Sequence, residues 1–261
     1  RHGRRRLDHQ GDYNRAWPGT ELGPGPETGL MAEVFARMRE RPLFASVDIH
    51  NTTGENPHYA CVNVLDHRCL QLAHRFGRTV VYFTRPRGVQ ARAFSGLCPA
   101  VILECGRVGT TGGVRHARDF LADCLALDAI PDQPPAPGEI DLFTSVAMVQ
   151  VPDAVRFDFE WPAHPCDPAV DLCLPGDIDR LNFRELAAGT VLGRCRGDEW
   201  PVRAIDSAGR EVTGEYFERR AGTLRLRRRL MPSLLTRDPR IVRQDCLCHL
   251  MQRRRTEAPA P

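Results

Sequence analysis

Residues 43–54 read Leu43-Phe44-Ala45-Ser46-Val47-Asp48-Ile49-His50-Asn51-Thr52-Thr53-Gly54, and the fold turns on what this stretch becomes. Leu43, Ala45, Val47 and Ile49 alternate with their neighbours, which is the period of a buried strand. The run stops at His50 and gives way to a polar loop closed by Gly54. Asp48 stands two residues before the histidine, so both side chains leave the strand on one face. Open α/β sheets place their chemistry at such strand ends. A lone histidine there is more often a local cap, so its company elsewhere in the chain decides.

Two further stretches supply that company. Gly11-Asp12-Tyr13-Asn14-Arg15-Ala16-Trp17-Pro18-Gly19 ends in a Pro-Gly pair and continues Gly/Pro-rich to Pro26, which makes it a loop whose polar groups contact something. Arg15 offers a planar fork suited to a carboxylate, and Asn14 adds a donor beside it. An internally bonded Asp12–Arg15 turn explains the same residues equally well. In Ile102-Leu103-Glu104-Cys105-Gly106, Glu104 ends a short apolar strand, where a carboxylate is poorly solvated unless paired. It reads either as a buried ion pair with Arg85, Arg87 or Arg92, or as a general base whose pKa is raised toward neutrality. That arginine loop is itself a second candidate for binding acidic groups.

Composition bounds the answer. The chain has 261 residues, 42% of them hydrophobic, enough for one large or two modest domains. A net charge of +3 argues for neither a nucleic-acid partner nor a membrane surface. All 36 basic residues are arginine, which excludes Schiff-base and P-loop lysine chemistry. No apolar run approaches the roughly 20 residues that span a bilayer. Arg1 stands where a methionine would, with no signal-peptide pattern after it, so the chain is expected to start late. Ten cysteines show no C-x-x-C spacing, and several lie in apolar stretches, so a reduced, cytoplasmic protein is expected. Cys246, Cys248 and His249 cluster, and a strand face or helix end accounts for them better than a metal.

Helices are expected over 28–40, with Thr28 as cap, over Leu65–Phe76, and from Gly112-Gly113 to about Leu127. The last should bury Val114, Ala117, Phe120, Leu121, Cys124 and Leu125. His67 and His74 read as solvent-facing. Strands are expected at 79–83 and 100–103. Four prolines between Pro131 and Pro137 then make a stiff linker, after which short β-like runs replace the strand–helix alternation. The division is therefore an α/β region over 1–130, a linker over 131–138, a small all-β C-terminal domain over 139–252 and a disordered tail over 253–261.

Taken together, the three stretches resemble, in order and approximate spacing, the aspartoacylase/succinylglutamate desuccinylase family, a branch of the zinc metallocarboxypeptidases. The resemblance rests on residues 12–106. It implies an α/β catalytic domain, a mixed sheet with flanking helices, followed by a β domain. It implies a bound Zn2+ with His50 as ligand, Glu104 as the proton-moving base, and Asn14 and Arg15 holding the substrate's carboxylate. The family's carbonyl-polarising arginine would be Arg5 or Arg6, and Arg6 is placed with the substrate-binding residues. Asp48 would orient the imidazole of His50 rather than bind metal.

There are departures. Tyr13 replaces the family's usual leucine. The family's first metal motif, His-x-x-Glu, belongs tens of residues before Asp12; His2-Gly3-Arg4-Arg5 begins like it but has arginine for the glutamate. The expected activity is zinc-dependent hydrolysis of the amide bond of a small N-acyl amino acid. A metallocarboxypeptidase acting on a peptide and a metal-free carboxylate-binding protein are the alternatives. The expected partner is a small acidic molecule, with no nucleic acid and no membrane, and a homo-oligomer is allowed.

Overall fold

The computed structural model describes residues 6, 7 and 9–254. Its strands are β1 (Ser46–Thr52), β2 (His58–Val62), β3 (Thr79–Tyr82), β4 (Ala100–Arg107), β5 (Asp141–Gln150), β6 (Phe157–Trp161), β7 (Leu172–Pro175), β8 (Val191–Cys195), β9 (Arg203–Asp206), β10 (Phe217–Arg220), β11 (Thr223–Leu226), β12 (Met231–Ser233) and β13 (Cys248–Arg253). The helices are α1 (Pro26–Met38), α2 (His67–Phe76), α3 (Gln90–Phe94), α4 (Thr111–Leu125), α5 (Thr213–Tyr216) and α6 (Pro239–Gln244), with a 3-10 turn at Tyr13–Arg15.

The first sheet runs β1-β4-β2-β3-β5-β13-β12, with β9 also paired to β5. It is mixed, as expected: β1 lies parallel to β4, β2 antiparallel to β4, and β3 parallel to both β2 and β5. Side-chain alternation along β4 divides its two faces. Val101, Leu103 and Cys105 meet Leu72 and Phe76 of α2 and Ala117 and Phe120 of α4. Ala100 and Ile102 meet Tyr59, Phe94 and Met251 on the other face, where Trp17 and Phe35 pack against them. Glu104 continues the 100–102 row and so belongs to this second face.

The second sheet runs β10-β11-β8-β7-β6. Its Leu172, Leu174, Phe217 and Leu224 share one core with Ala147 and Val149, from the later half of β5, and with Leu250. The first sheet therefore runs across residues 131–138: β5 pairs with β3 from Thr79↔Asp141 onward, and β13 pairs along β5. Residues beyond the prolines contribute β5, β9, β12 and β13 to the first sheet and the remaining five strands to the second.

Several local expectations are corrected. Glu104 does not end its strand, which continues to Arg107, and β1 likewise continues past His50 to Thr52. Ile49, expected inside, is exposed on β1, the outermost strand of the sheet. Thr28 does not start α1; Pro26 does, and the Thr28 hydroxyl accepts from the Gly25 N–H at 2.9 Å. On α4 the buried stripe is Gly113, Ala117, Phe120 and Cys124, while Val114 and Leu125 face solvent. A Cβ at Gly113 would lie 2.0 Å from the Cys105 carbonyl oxygen, so glycine is what lets α4 approach β4. Cys166 and Cys173 are disulfide-bonded, against the expectation of a fully reduced chain, and the other described cysteines are free and buried. Arg253 is the last residue of β13, and residues 255–261 of the expected tail lie outside the described residues.

Candidate functional site

Parallel pairing sets His50 of β1 directly opposite Glu104 of β4. On β4's other side, antiparallel pairing sets Tyr59 opposite Glu104. Three adjacent strands thus present an imidazole, a carboxylate and a phenol in one row. Asp48 Oδ1 lies 3.0 Å from His50 Nε2, with both side chains about a fifth to a quarter exposed (20% and 24%).

Glu104 is buried, and its charge is felt by its neighbours. The Tyr59 phenol is pushed well above its usual pKa, first by burial and then by Glu104. Burial and then Glu104 also raise the Cys61 thiol, and they raise the Cys105 thiol to about 11. These groups stay protonated and uncharged at neutral pH beside the carboxylate.

The row continues into residues that sequence reasoning assigned to a separate region. The thiol of Cys246 is among the groups acting on Tyr59. Its neighbour Asp245 takes a hydrogen bond from Arg15, Nη2 to Oδ1 at 2.8 Å. His249, on β13, is buried and lowered to about 4: burial dominates, Asp245 pulls the value up, and Arg15 pushes it down. His249 Nδ1 lies 2.9 Å from Ser145 Oγ on β5. Arg15, Asp245, His249 and Ser145 thus form a second polar cluster, linked to the row through the Cys246 thiol acting on Tyr59.

Arg15 and Asn14 lie in the 3-10 turn, where Asp12 caps the turn by accepting from the Asn14 N–H at 2.9 Å. Arg15 Nη1 donates to the Asn14 carbonyl at 2.9 Å. The internally bonded turn and the outward-reaching fork thus coexist, and the fork's described partner is Asp245. Arg6 donates through Nη1 to the Gln10 carbonyl at 3.2 Å. Among the described contacts none joins Arg6 to the row. His2-Gly3-Arg4-Arg5 lies outside the described residues. Arg85 and Arg87 pair with Glu21, at 2.7 and 3.7 Å.

The loop after His50 is held by the far end of the chain. Thr53 Oγ1 donates to Thr236 Oγ1 at 2.7 Å, and the Leu234 N–H donates to Asn56 Oδ1 at 3.0 Å. A Cβ on Gly54 would lie 1.9 Å from the Leu235 carbonyl oxygen, so only glycine permits this contact.

A catalytic zinc takes three protein ligands and a water. His50 offers one, and among the described residues no three His, Cys, Asp or Glu side chains gather to hold a metal ion. The described donor set does not fit a catalytic zinc. A separate polar cavity of about 330 Å³ is lined by Tyr82, Thr84, Ser145, Asp206, Arg210 and Tyr216, among others. None of His50, Glu104, Asn14 and Arg15 lines it.

No family model matches the chain, and no curated protein matches it in sequence. Solved structures do. The chain is similar to a succinylglutamate desuccinylase from Chromobacterium violaceum (16% identity, TM-score 0.52), over 95% of this chain and 68% of that one. It is similar to a succinylglutamatedesuccinylase/aspartoacylase from Rhodobacter sphaeroides (16%, 0.55), over 93% and 68%. It is also similar to murine aminoacylase 3 (13%, 0.57), over 93% and 77%. The chain has the desuccinylase/aspartoacylase fold. That agrees with the architecture implied by the resemblance of the three motifs, and the chain spans about two thirds of the two bacterial proteins. Among the described residues no helix is long and apolar enough to cross a membrane.

Proposed function

We propose that this chain is the substrate-binding and proton-moving part of an amide hydrolase that deacylates a small N-acyl amino acid. The observation that carries the reading is the placement of His50 opposite Glu104, with Asp48 against the imidazole. A buried carboxylate beside neutral hydroxyl and thiol groups can take a proton from a nucleophile and return it to a leaving nitrogen. Arg15 and Asn14 would hold the substrate's carboxylate and so fix the scissile bond near that pair.

Zinc dependence belongs to the proposal. His50 is the ligand this chain brings, and further ligands would come from outside the described residues. The small-molecule partner is acidic, and neither nucleic acid nor membrane is proposed as a partner. The proposed compartment is the cytoplasm; eight free, buried cysteines support it and the one disulfide, Cys166–Cys173, speaks against it.

The test is Glu104→Gln. It should keep the fold while lowering turnover by about two to four orders of magnitude, because the shape remains and the proton carrier is gone. Near-parental turnover on any substrate the parent cleaves would reduce Glu104 to a structural carboxylate. The absence of a three-ligand group among the described residues favours one second reading, a metal-free carboxylate-binding protein. On that reading an N-acyl amino acid binds the parent and Glu104→Gln alike, and neither cleaves it.

A further inference from the structure

β5 changes partners part-way along one side, and a cavity opens at the change. On one side β13 pairs with β5 across Phe143–Val149. β3 and β9 therefore share the other side: β3 pairs as far as Tyr82↔Thr144, and β9 takes over at Ala147↔Asp206. Among the described residues no strand pairs with Ser145 or Val146 there. Successive residues of a strand point to opposite faces of its sheet. A cavity lined by Thr144, Ser145 and Val146 together thus lies on neither face but at the uncovered edge, between β3 and β9. Its volume of about 330 Å³ is toward the lower end for small-molecule sites.

Most of what faces this gap is hydroxyl. Tyr82, Thr84, Thr144, Ser145, Ser207 and Tyr216 all line it. Ser145 Oγ meets His249 Nδ1, and the other five hydroxyls have no hydrogen-bond partner among the described residues. Thr144 Oγ1 is closed off from solvent as well, a costly state for a polar group. The arginine and aspartate of the lining satisfy each other. Asp206 Oδ1 accepts from the Ala208 and Arg210 N–H groups at 2.8 and 2.9 Å, and Oδ2 accepts Arg210 Nε at 2.9 Å. Glu215, also in the lining, is exposed and has no ion pair among the described residues. Arg85 donates to the Ser207 carbonyl but is paired with Glu21, and Arg228 lies over the Tyr216 ring without lining the cavity.

An anion entering here meets no unpaired cation in the lining and one carboxylate. A hydroxyl both donates and accepts, so a lining of hydroxyls matches a molecule that is itself rich in hydroxyls. The rings of Tyr82 and Tyr216, with Val146 and Val212, add apolar surface for its C–H groups. We propose that this cavity binds a small neutral polyhydroxylated molecule, a monosaccharide or cyclic polyol. The site is distinct from the one proposed for the acidic substrate, since His50, Glu104, Asn14 and Arg15 do not line it.

The experiment is an NMR titration of the isotope-labelled 261-residue chain with D-glucose, D-galactose, D-ribose and myo-inositol, each beside its phosphate ester. At least one neutral probe should bind with a Kd below about 10 mM and shift amides in 82–84, 144–146 and 206–216, and its phosphate ester should bind at least about threefold more weakly. Thr84→Val and Ser207→Ala each delete a hydroxyl that holds nothing in the chain, so the fold should persist while affinity falls about three- to tenfold. Three results would overturn the site: no binding of any neutral probe, equal or tighter binding of the ester, or affinity unchanged in both variants. Each of them leaves the proposed deacylase function standing, because that function is read from other residues.

Discussion

His249 should make the fold lose stability at a pH where its carboxylates are still ionised. Its pKa lies at about 4 in the folded chain, against an ordinary value of 6.5. Below 6.5 the unfolded chain binds a proton there and the folded chain does not. The stability tied to the neutral ring is therefore fully present above 6.5 and is lost as pH falls toward 4. At 1.36 kcal/mol per unit, the loss from this one group reaches about 2 kcal/mol at pH 5 and about 3 kcal/mol at pH 4. That is a large part of a typical margin of about 5–15 kcal/mol. The assay is urea unfolding at about pH 7 and pH 5, for the parent and for His249→Gln, which can still hydrogen-bond Ser145 Oγ but does not titrate. The parent should lose about 2 kcal/mol more than the variant between the two conditions. Equal losses would mean that His249 titrates near its ordinary value, and the buried placement that links it to Asp245 and Arg15 would be refuted.

Three further outcomes are expected. Gly113→Ala puts a Cβ 2.0 Å from the Cys105 carbonyl oxygen, so α4 must move off β4. Denaturant unfolding should show a loss of roughly 1–3 kcal/mol, and an unchanged midpoint would contradict the close approach. Thiol titration of the denatured, unreduced chain should find eight thiols, and ten would mean that Cys166 and Cys173 are not bonded. After dialysis against a mild chelator, metal analysis of residues 1–261 should find well under one zinc per chain, since one histidine holds zinc weakly. One retained zinc per chain would show that ligands beyond His50 exist within it.

Burial was legible in the sequence, and pairing was not. The alternation around Val47 and the apolar run at Ile102 located β1 and β4, and with them His50 and Glu104. Their ends were misplaced because a hydrogen-bonded ladder continues past the last apolar residue: His50↔Glu104 is an interior pair, and Thr52↔Arg107 lies beyond it. On α4 the expected Ala117, Phe120 and Cys124 are buried, but the stripe is narrower than read: Val114, Leu121 and Leu125 are exposed, and Gly113, which marks the contact face, carries no hydrophobic signal. The largest omission came from the prolines at 131–137. Proline stiffness is a local property, whereas strand partnership depends on residues more than a hundred positions apart. Nothing in Cys246-Leu247-Cys248-His249 announces a return to β5, so Asp245, Cys246 and His249 were left out of the site.

That return has a consequence for how the protein comes into being. β13 lies between β5 and β12, and the Arg254 N–H bonds back to the Leu142 carbonyl. Residues up to Arg253 must therefore be made before this sheet can close. Until then one side of β5 is an open template for any other extended segment, which is the kind of exposure that feeds aggregation. Pairings of such long sequence separation also form slowly. A nonsense mutation or proteolytic cut near residue 245 would remove β13. It would leave a polypeptide with His50 and Glu104 in place, one flank unpaired and the His249 end of its site missing.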